Sequence, residues 1–140
     1  MAVSCGRFQR RGQPRADHAG GGGVPAQSID GRTIFYAKSG NGAESTPLWS
    51  VPADGGEERE ILPAVFAHNF VVRRDGIYFI PGPEKPAVWF LGFADRKASL
   101  VTALRTTPAY GMDVSNDGRF ALVPEYESFG EDIVMIENFR

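Results

Sequence analysis

The sequence predicts an all-β protein built from repeated antiparallel units, and three observations lead to this prediction. An Asp-Gly pair occurs three times, with spacings of 45 and 42 residues. Short apolar segments stand at similar offsets from each pair. The 17 glycines and 10 prolines in 140 residues fit a fold with many turns. The three pairs are Asp30-Gly31, Asp75-Gly76 and Asp117-Gly118.

Residues 1–27 precede the first pair and show no apolar periodicity, so we predict a disordered, basic, Gly-rich head. Residues 1–24 contain four arginines and one aspartate, a net charge of +3, whereas the whole chain has a net charge of −2. No Lys-Ser/Thr pair follows the glycines, which argues against a phosphate-binding loop. The folded part is therefore acidic, which does not favour nucleic-acid contact.

Each Asp-Gly pair is followed at once by an apolar segment that we predict to be a strand. A hairpin turn of type I′ needs positive φ at both central positions, which glycine adopts freely and aspartate tolerates. We therefore interpret Asp30, Gly31, Asp75, Gly76, Asp117 and Gly118 as structural turns. The segments that follow are 33–36, 77–80 and 120–123.

Further short segments complete a pattern of four strands per unit. Second segments lie at 48–51, 88–91 and 133–136, third segments at 59–62 and 99–102, and fourth segments at 69–72 and 110–114. Four strands in 42–45 residues is the period of a propeller blade. We predict a partial β-propeller of about two and a half four-stranded antiparallel blades over residues 28–140, with units of about 28–68, 69–109 and 110–140.

Several of these strands are apolar without alternation, which indicates that both faces of a blade are covered. The segments concerned are Ile77–Ile80, Val88–Leu91 and Ile133–Ile136. Blades at the two ends would leave a face and an edge open. We therefore expect a protein partner, further propeller blades, or self-association through exposed blade faces.

The repeated turn resembles the TolB-type, WD-repeat-like propeller family of bacteria. The residues concerned are Ser28-Ile29-Asp30-Gly31-Arg32, Ser115-Asn116-Asp117-Gly118-Arg119, the segments 48–58 and 75–81, and the terminal stretch 132–140. The usual proline of Ser-Pro-Asp-Gly is Ile29 or Asn116 here, and the middle unit has no serine. In this family such blades often follow a winged-helix regulator or a serine/threonine kinase domain. The resemblance implies an interaction or sensing module derived from a larger regulator.

A search for catalytic patterns finds none that is complete. Tyr126-Glu127-Ser128-Phe129-Gly130 lacks the first glycine of a nucleophile elbow. The stretch 113–118 has the oxygen spacing of a calcium loop, but its twelfth position is Pro124 instead of glutamate. His18 and His68 have no zinc spacing, Cys5 is a lone cysteine, and Gly40-Asn41-Gly42 reads as a hairpin loop. We predict a non-enzyme without cofactor or metal.

The candidate partner-binding loops are two. His68 and Asn69 lie between the first two units, and Glu125, Tyr126 and Glu127 belong to an acidic stretch with Glu131 and Asp132. No run of 18 apolar residues and no signal segment occurs, which favours a cytoplasmic protein without membrane contact. Two alternatives stay open. One is the propeller portion of a hydrolase or peptidase, and the other is a truncated gene remnant without independent function.

Overall fold

The structure is a computed structural model that describes residues 22–38, 45–66, 68–127 and 130–137. These ranges contain eleven strands and no helix, and accordingly no helix that could span a membrane. The strands are β1 (Gly22–Gln27), β2 (Thr33–Lys38), β3 (Ser45–Pro52), β4 (Arg59–Phe66), β5 (Phe70–Val72), β6 (Gly76–Phe79), β7 (Ala87–Gly92), β8 (Ala98–Ala103), β9 (Asp113–Val114), β10 (Phe120–Glu127) and β11 (Gly130–Glu137).

The strands form three antiparallel sheets in which neighbours along the chain are neighbours in space. The first sheet has the order β1-β2-β3-β4, the second β5-β6-β7-β8 and the third β11-β10-β9. All ten segments predicted from the sequence overlap a strand. The predicted all-β fold, with sheets of the size of propeller blades, is confirmed.

The prediction of a disordered head is wrong for Gly22–Gln27, which form an edge strand of the first sheet. This strand, β1, pairs with β2 from Gly22 opposite Lys38 to Gln27 opposite Ile34, with an irregularity between Gly23 and Ala26. The first unit thus begins at residue 22 instead of 28. Residues 1–21 lie outside the described residues.

The core consists of two apolar layers, one between each pair of successive sheets. The first layer joins the first and second sheets through Phe35, Ala37, Leu48, Leu62, Val65, Phe70, Val72, Ile77, Phe79 and Leu91. The second joins the second and third sheets through Val71, Ile80, Val88, Met112, Val114, Ala121 and Val123, together with Phe66 at the end of β4 in the first sheet. Burial of each large apolar side chain stabilises such a layer by about 1.5–3 kcal/mol.

The middle sheet is covered on both faces, as its unbroken apolar strands predict. Ile77 and Phe79 of β6 belong to the first layer, while Tyr78 packs against the second and Ile80 belongs to it. The same prediction is wrong for β11, where Ile133 is 75% and Met135 59% exposed. One face of that strand has no sheet against it in the described part of the chain.

The turns differ from the type I′ geometry expected at Asp-Gly. Gly31 and Gly118 have φ of 73° and 68°, but no aspartate of the three pairs has positive φ. The N–H of Gly31 donates to the Ser28 carbonyl at 2.9 Å, and the N–H of Gly118 donates to the Ser115 carbonyl at 2.9 Å. Without positive φ before the glycine, each is a type I turn followed by a left-handed glycine.

Candidate interaction surface

The outward face of the third sheet carries several exposed apolar side chains on neighbouring strands. Alternate residues of β10 and β11 point away from the second sheet: Leu122 (40% exposed) lies opposite Met135, and Ile133 lies opposite Pro124. Tyr126 is 45% exposed at the end of β10. We call Leu122, Tyr126, Ile133 and Met135 the open face.

The internal repeat shows what such a face does elsewhere in the molecule. Leu122 stands five residues after Asp117, as Phe35 stands five residues after Asp30. Phe35 is 5% exposed, because the second sheet packs on it in the first core layer. The open face therefore has the position that sheet-on-sheet packing covers in the first unit. In monomeric soluble proteins, large contiguous apolar surfaces are rare and commonly belong to contact sites.

Beside the open face, β11 has an unpaired edge within the residues described here. In the first two sheets the third strand is paired on both sides, β3 with β2 and β4, and β7 with β6 and β8. In contrast, β11 pairs with β10 alone. An open strand edge presents backbone N–H and C=O groups that another strand can pair with.

In the first predicted binding loop, His68-Asn69, the asparagine is hydrogen-bonded to another connection inside the protein. Asn69 is 1% exposed, and its amide donates to the Ala109 carbonyl at 2.7 Å. Its side-chain oxygen accepts from the N–H groups of Gly111 and Met112, each at 2.9 Å. Asn69 thus joins the two inter-sheet connections with a buried side chain, and its predicted role in binding a partner stays a prediction.

His68 lies half-buried beside Asn69 with a positive φ of 56°. Its ring centroid is 6.5 Å from that of Tyr110, which is 65% exposed. The buried Nδ1 atom has no hydrogen-bond partner. The aromatic pair therefore forms the solvent-facing side of the connection between sheets, while Asn69 forms its inner side.

The predicted acidic loop around Glu125 is instead the end of a strand pair. In the register of β10 and β11, Glu125 lies opposite Asp132 and Tyr126 opposite Glu131. Glu125 is 5% exposed and accepts a hydrogen bond from the Thr106 hydroxyl at 3.1 Å. The Glu125 side chain is therefore buried instead of solvated, and its predicted role in binding a partner stays a prediction. The hairpin end lengthens the open face as far as Tyr126. Glu127 ends β10 at this position.

The structural turns form small hydrogen-bonded units. The Ser28 hydroxyl donates to Asp30 Oδ1 at 2.6 Å, and the Arg32 N–H donates to the same atom at 3.0 Å. Ser115, Asp117 and Arg119 repeat this arrangement at 2.6 and 3.0 Å. The serine hydroxyl and then the backbone N–H hold the pKa of each aspartate below its ordinary value, because they bond the charged form.

No group of three His, Cys, Asp or Glu residues that could hold a metal occurs among the described residues. The predictions about Gly40-Asn41-Gly42, Ser128 and His18 fall outside those residues. A cleft of about 440 Å³ lies between the first two sheets, beside Asp30, Phe35, Arg74 and Phe93. The Phe35 and Phe93 rings stack at 5.9 Å in its wall.

With this geometry established, one solved structure is informative. The crystal structure of TolB from Acinetobacter baumannii is similar to this chain at a TM-score of 0.62, with 14% identity over 81% of the chain. The fold is that of a TolB-type β-propeller. The chain spans 29% of the length of that TolB chain. No protein-family model matches the sequence, and no curated protein matches it.

Sequence reasoning missed three of the four residues of the open face, since only Tyr126 is among the predicted binding residues. Ile133 and Met135 lie in the segment 133–136, for which the sequence predicts two covered faces, and Leu122 lies in a predicted strand. The signal that distinguishes them is positional, because they belong to the last repeat unit and face away from the preceding propeller sheets. A residue's place in the repeat, more than its type, determines its exposure here.

Proposed function

We propose that this chain is a non-catalytic β-propeller module that acts by protein–protein contact through the third sheet. A partner protein or further propeller blades pack on the open face. The single observation that supports this most directly is the exposure of Ile133 and Met135 at positions where sheet-on-sheet packing is the rule in the same chain.

The chemistry of the surface supports contact more than catalysis. The open face presents leucine, isoleucine, methionine and tyrosine side chains, which bind by burial of apolar area. Meanwhile the polar side chains that best resembled a site, Asn69 and Glu125, are used in hydrogen bonds that hold the connections between sheets. Loss of these two side chains would therefore affect folding before it affected the binding of a ligand.

The proposal predicts concentration-dependent association of the purified chain, since an open apolar face pairs with itself when its partner is missing. The variant Ile133→Ser/Met135→Ser should weaken that association at least about tenfold, because each apolar side chain contributes more than about 1 kcal/mol when buried. Sedimentation over a range of concentrations measures the association constant, and circular dichroism checks that the sheets remain.

A matched control is available on the second sheet. Leu100 on β8 is 58% exposed, close to the 59% of Met135, but does not belong to the open face. Leu100→Ser should leave the association constant unchanged, whereas Met135→Ser should lower it. A wild-type chain that stays monomeric at high concentration, or equal effects of the two serine variants, would contradict the proposal.

A further inference from the structure

We propose that the open edge of β11 binds an extended, basic segment of a partner polypeptide, which adds to the third sheet as a fourth strand. This rests on the proposed interaction role and specifies both the position and the chemistry of the partner. The relevant surface is the outer edge of β11 together with the cleft beside it.

The cleft provides room for such a segment. It has a volume of about 390 Å³ and lies between the end of β8 and β11, lined by Thr102, Leu104, Arg105, Glu125, Val134 and Ile136 among others. In the first sheet, the fourth strand contributes Leu62 and Val65 to the core layer. A strand added to β11 would place alternate side chains into the cleft and the others beside the open face.

The charge of the hairpin determines which segment fits. Residues 120–137, which span β10 and β11, contain five acidic residues and no lysine or arginine. The cleft is lined by one cation, Arg105, and by two acids, Glu125 and Glu137. Among the charged side chains described in the cleft, acids therefore outnumber cations, and a basic partner is favoured.

The same charges disfavour a second copy of this chain as the occupant. If two β11 strands paired antiparallel about Val134, residue 131 of one would lie opposite residue 137 of the other. Both are glutamates, and like charges directly opposite across strands are destabilising. A strand with lysine or arginine at these positions removes the repulsion and gains opposite-charge pairs.

The chain itself supplies a probe of suitable chemistry. Residues 96–105 contain β8, the fourth strand of the second sheet, with two arginines, one lysine and no acidic residue. A synthetic peptide of this sequence with a fluorescent label should bind the full chain. The matched peptide with glutamate at its three basic positions should bind at least about tenfold more weakly, because several opposite-charge contacts become repulsive.

Protein variants locate the binding site. Glu137→Lys should weaken binding of the basic peptide about two- to fivefold, which is the effect of one exposed charge pair. Glu60→Lys, at an exposed acid on β4 of the first sheet, should leave peptide affinity unchanged. Equal effects of the two variants would place the peptide elsewhere and overturn the proposal.

Backbone methylation separates edge pairing from face packing. Two versions of the peptide carry N-methyl groups on alternate amides, so that only one version loses the hydrogen bonds to β11. We expect one version to lose binding and the other to keep it. Equal binding by both would show packing on the open face, against the proposal. If no peptide binds while the wild-type chain still self-associates through Met135, the proposal that the β11 edge binds a strand is overturned. The proposed interaction role of the open face is then unaffected.

Discussion

The turns between the first two strands of the first and third sheets are held by their own side chains, whereas the corresponding turn of the second sheet contacts the next sheet. In the first turn, the Ser28 hydroxyl bonds Asp30 and accepts from the Thr33 N–H at 3.0 Å. Ser115 does the same with Asp117 and Phe120. Both turns are closed locally, within six residues.

The middle turn has Arg73 where the other two have serine. Its Nε donates to the Val114 carbonyl and its Nη2 to Asp113, each at 2.9 Å, so it fastens the second sheet to β9 of the third. The N–H of Arg73 closes the turn on the Gly76 carbonyl at 2.9 Å. The same Asp-Gly dipeptide therefore serves two different turns.

The largest predicted effect on the free energy of unfolding comes from substituting the glycines of two turns, Gly76 and Gly31. A Cβ on Gly76 would lie 2.1 Å from the Leu91 carbonyl oxygen and 2.5 Å from the Phe90 ring, so backbone would have to move. Gly31 needs its left-handed φ, but a Cβ there would only touch the flexible Gln27 side chain at 3.4 Å. We expect Gly76→Ala to lower the free energy of unfolding by about 3 kcal/mol or more, and Gly31→Ala by about 1–2 kcal/mol.

Urea unfolding followed by circular dichroism measures both variants, with the slope against urea checked for constancy. A larger loss for Gly31→Ala than for Gly76→Ala would show that φ, and not space, is the common requirement. In that case the distinction between the two kinds of turn would fail.

The repeat made most of the strands predictable, because short apolar segments at fixed distances from Asp-Gly leave little choice of secondary structure. Strand β1, which the sequence does not predict, shows the limit of this reasoning. Gly22–Gln27 has no pattern of its own, and Val24 even has a positive φ of 50°. Pairing with β2 makes it a strand, and a pairing partner is a property of the fold and not of the segment.

The second prediction tests the contact between sheets. Arg73→Met keeps the aliphatic length but loses the bonds to Val114, Val72 and Asp113. Hydrogen bonds to a charged group contribute about 1.5–3 kcal/mol, so we expect a loss of about 2 kcal/mol in the free energy of unfolding. Arg74→Met is the control, since Arg74 is exposed and has no hydrogen bond or ion pair in the described part of the chain.

Chemical unfolding of both methionine variants, compared with the wild-type chain, gives the answer. Equal stability of the two would mean that Arg73 adds nothing beyond a surface charge. Protection of the β9 amides from hydrogen exchange offers a local readout, because a loosened third sheet should exchange faster in Arg73→Met alone.

The candidate site was less predictable than the fold, and Asn69 and Glu125 explain why. Both are polar residues near chain connections, which from sequence alone suggests accessibility. Both are buried, because Ala109, Gly111, Met112 and Thr106 supply hydrogen-bond partners from about 20 to more than 40 residues away in sequence. A sequence pattern does not show such distant partners.

The smallest predicted effect concerns acid sensitivity and again separates the turns. In the first and third turns, bonds from the serine hydroxyl and the following N–H hold the pKa of Asp30 and Asp117 below the ordinary value of 3.8. A lowered pKa in the folded state stabilises the fold above that ordinary value, and this contribution disappears as the pH falls through the lower, folded-state pKa. Asp30→Asn/Asp117→Asn should therefore show a shallower loss of melting temperature on acidification below pH 3.8 than the wild-type chain. Asp75→Asn, in the turn without these bonds, is the matched control. The same shallow slope in that variant would contradict the distinction between turns held by their own side chains and the turn that contacts the next sheet.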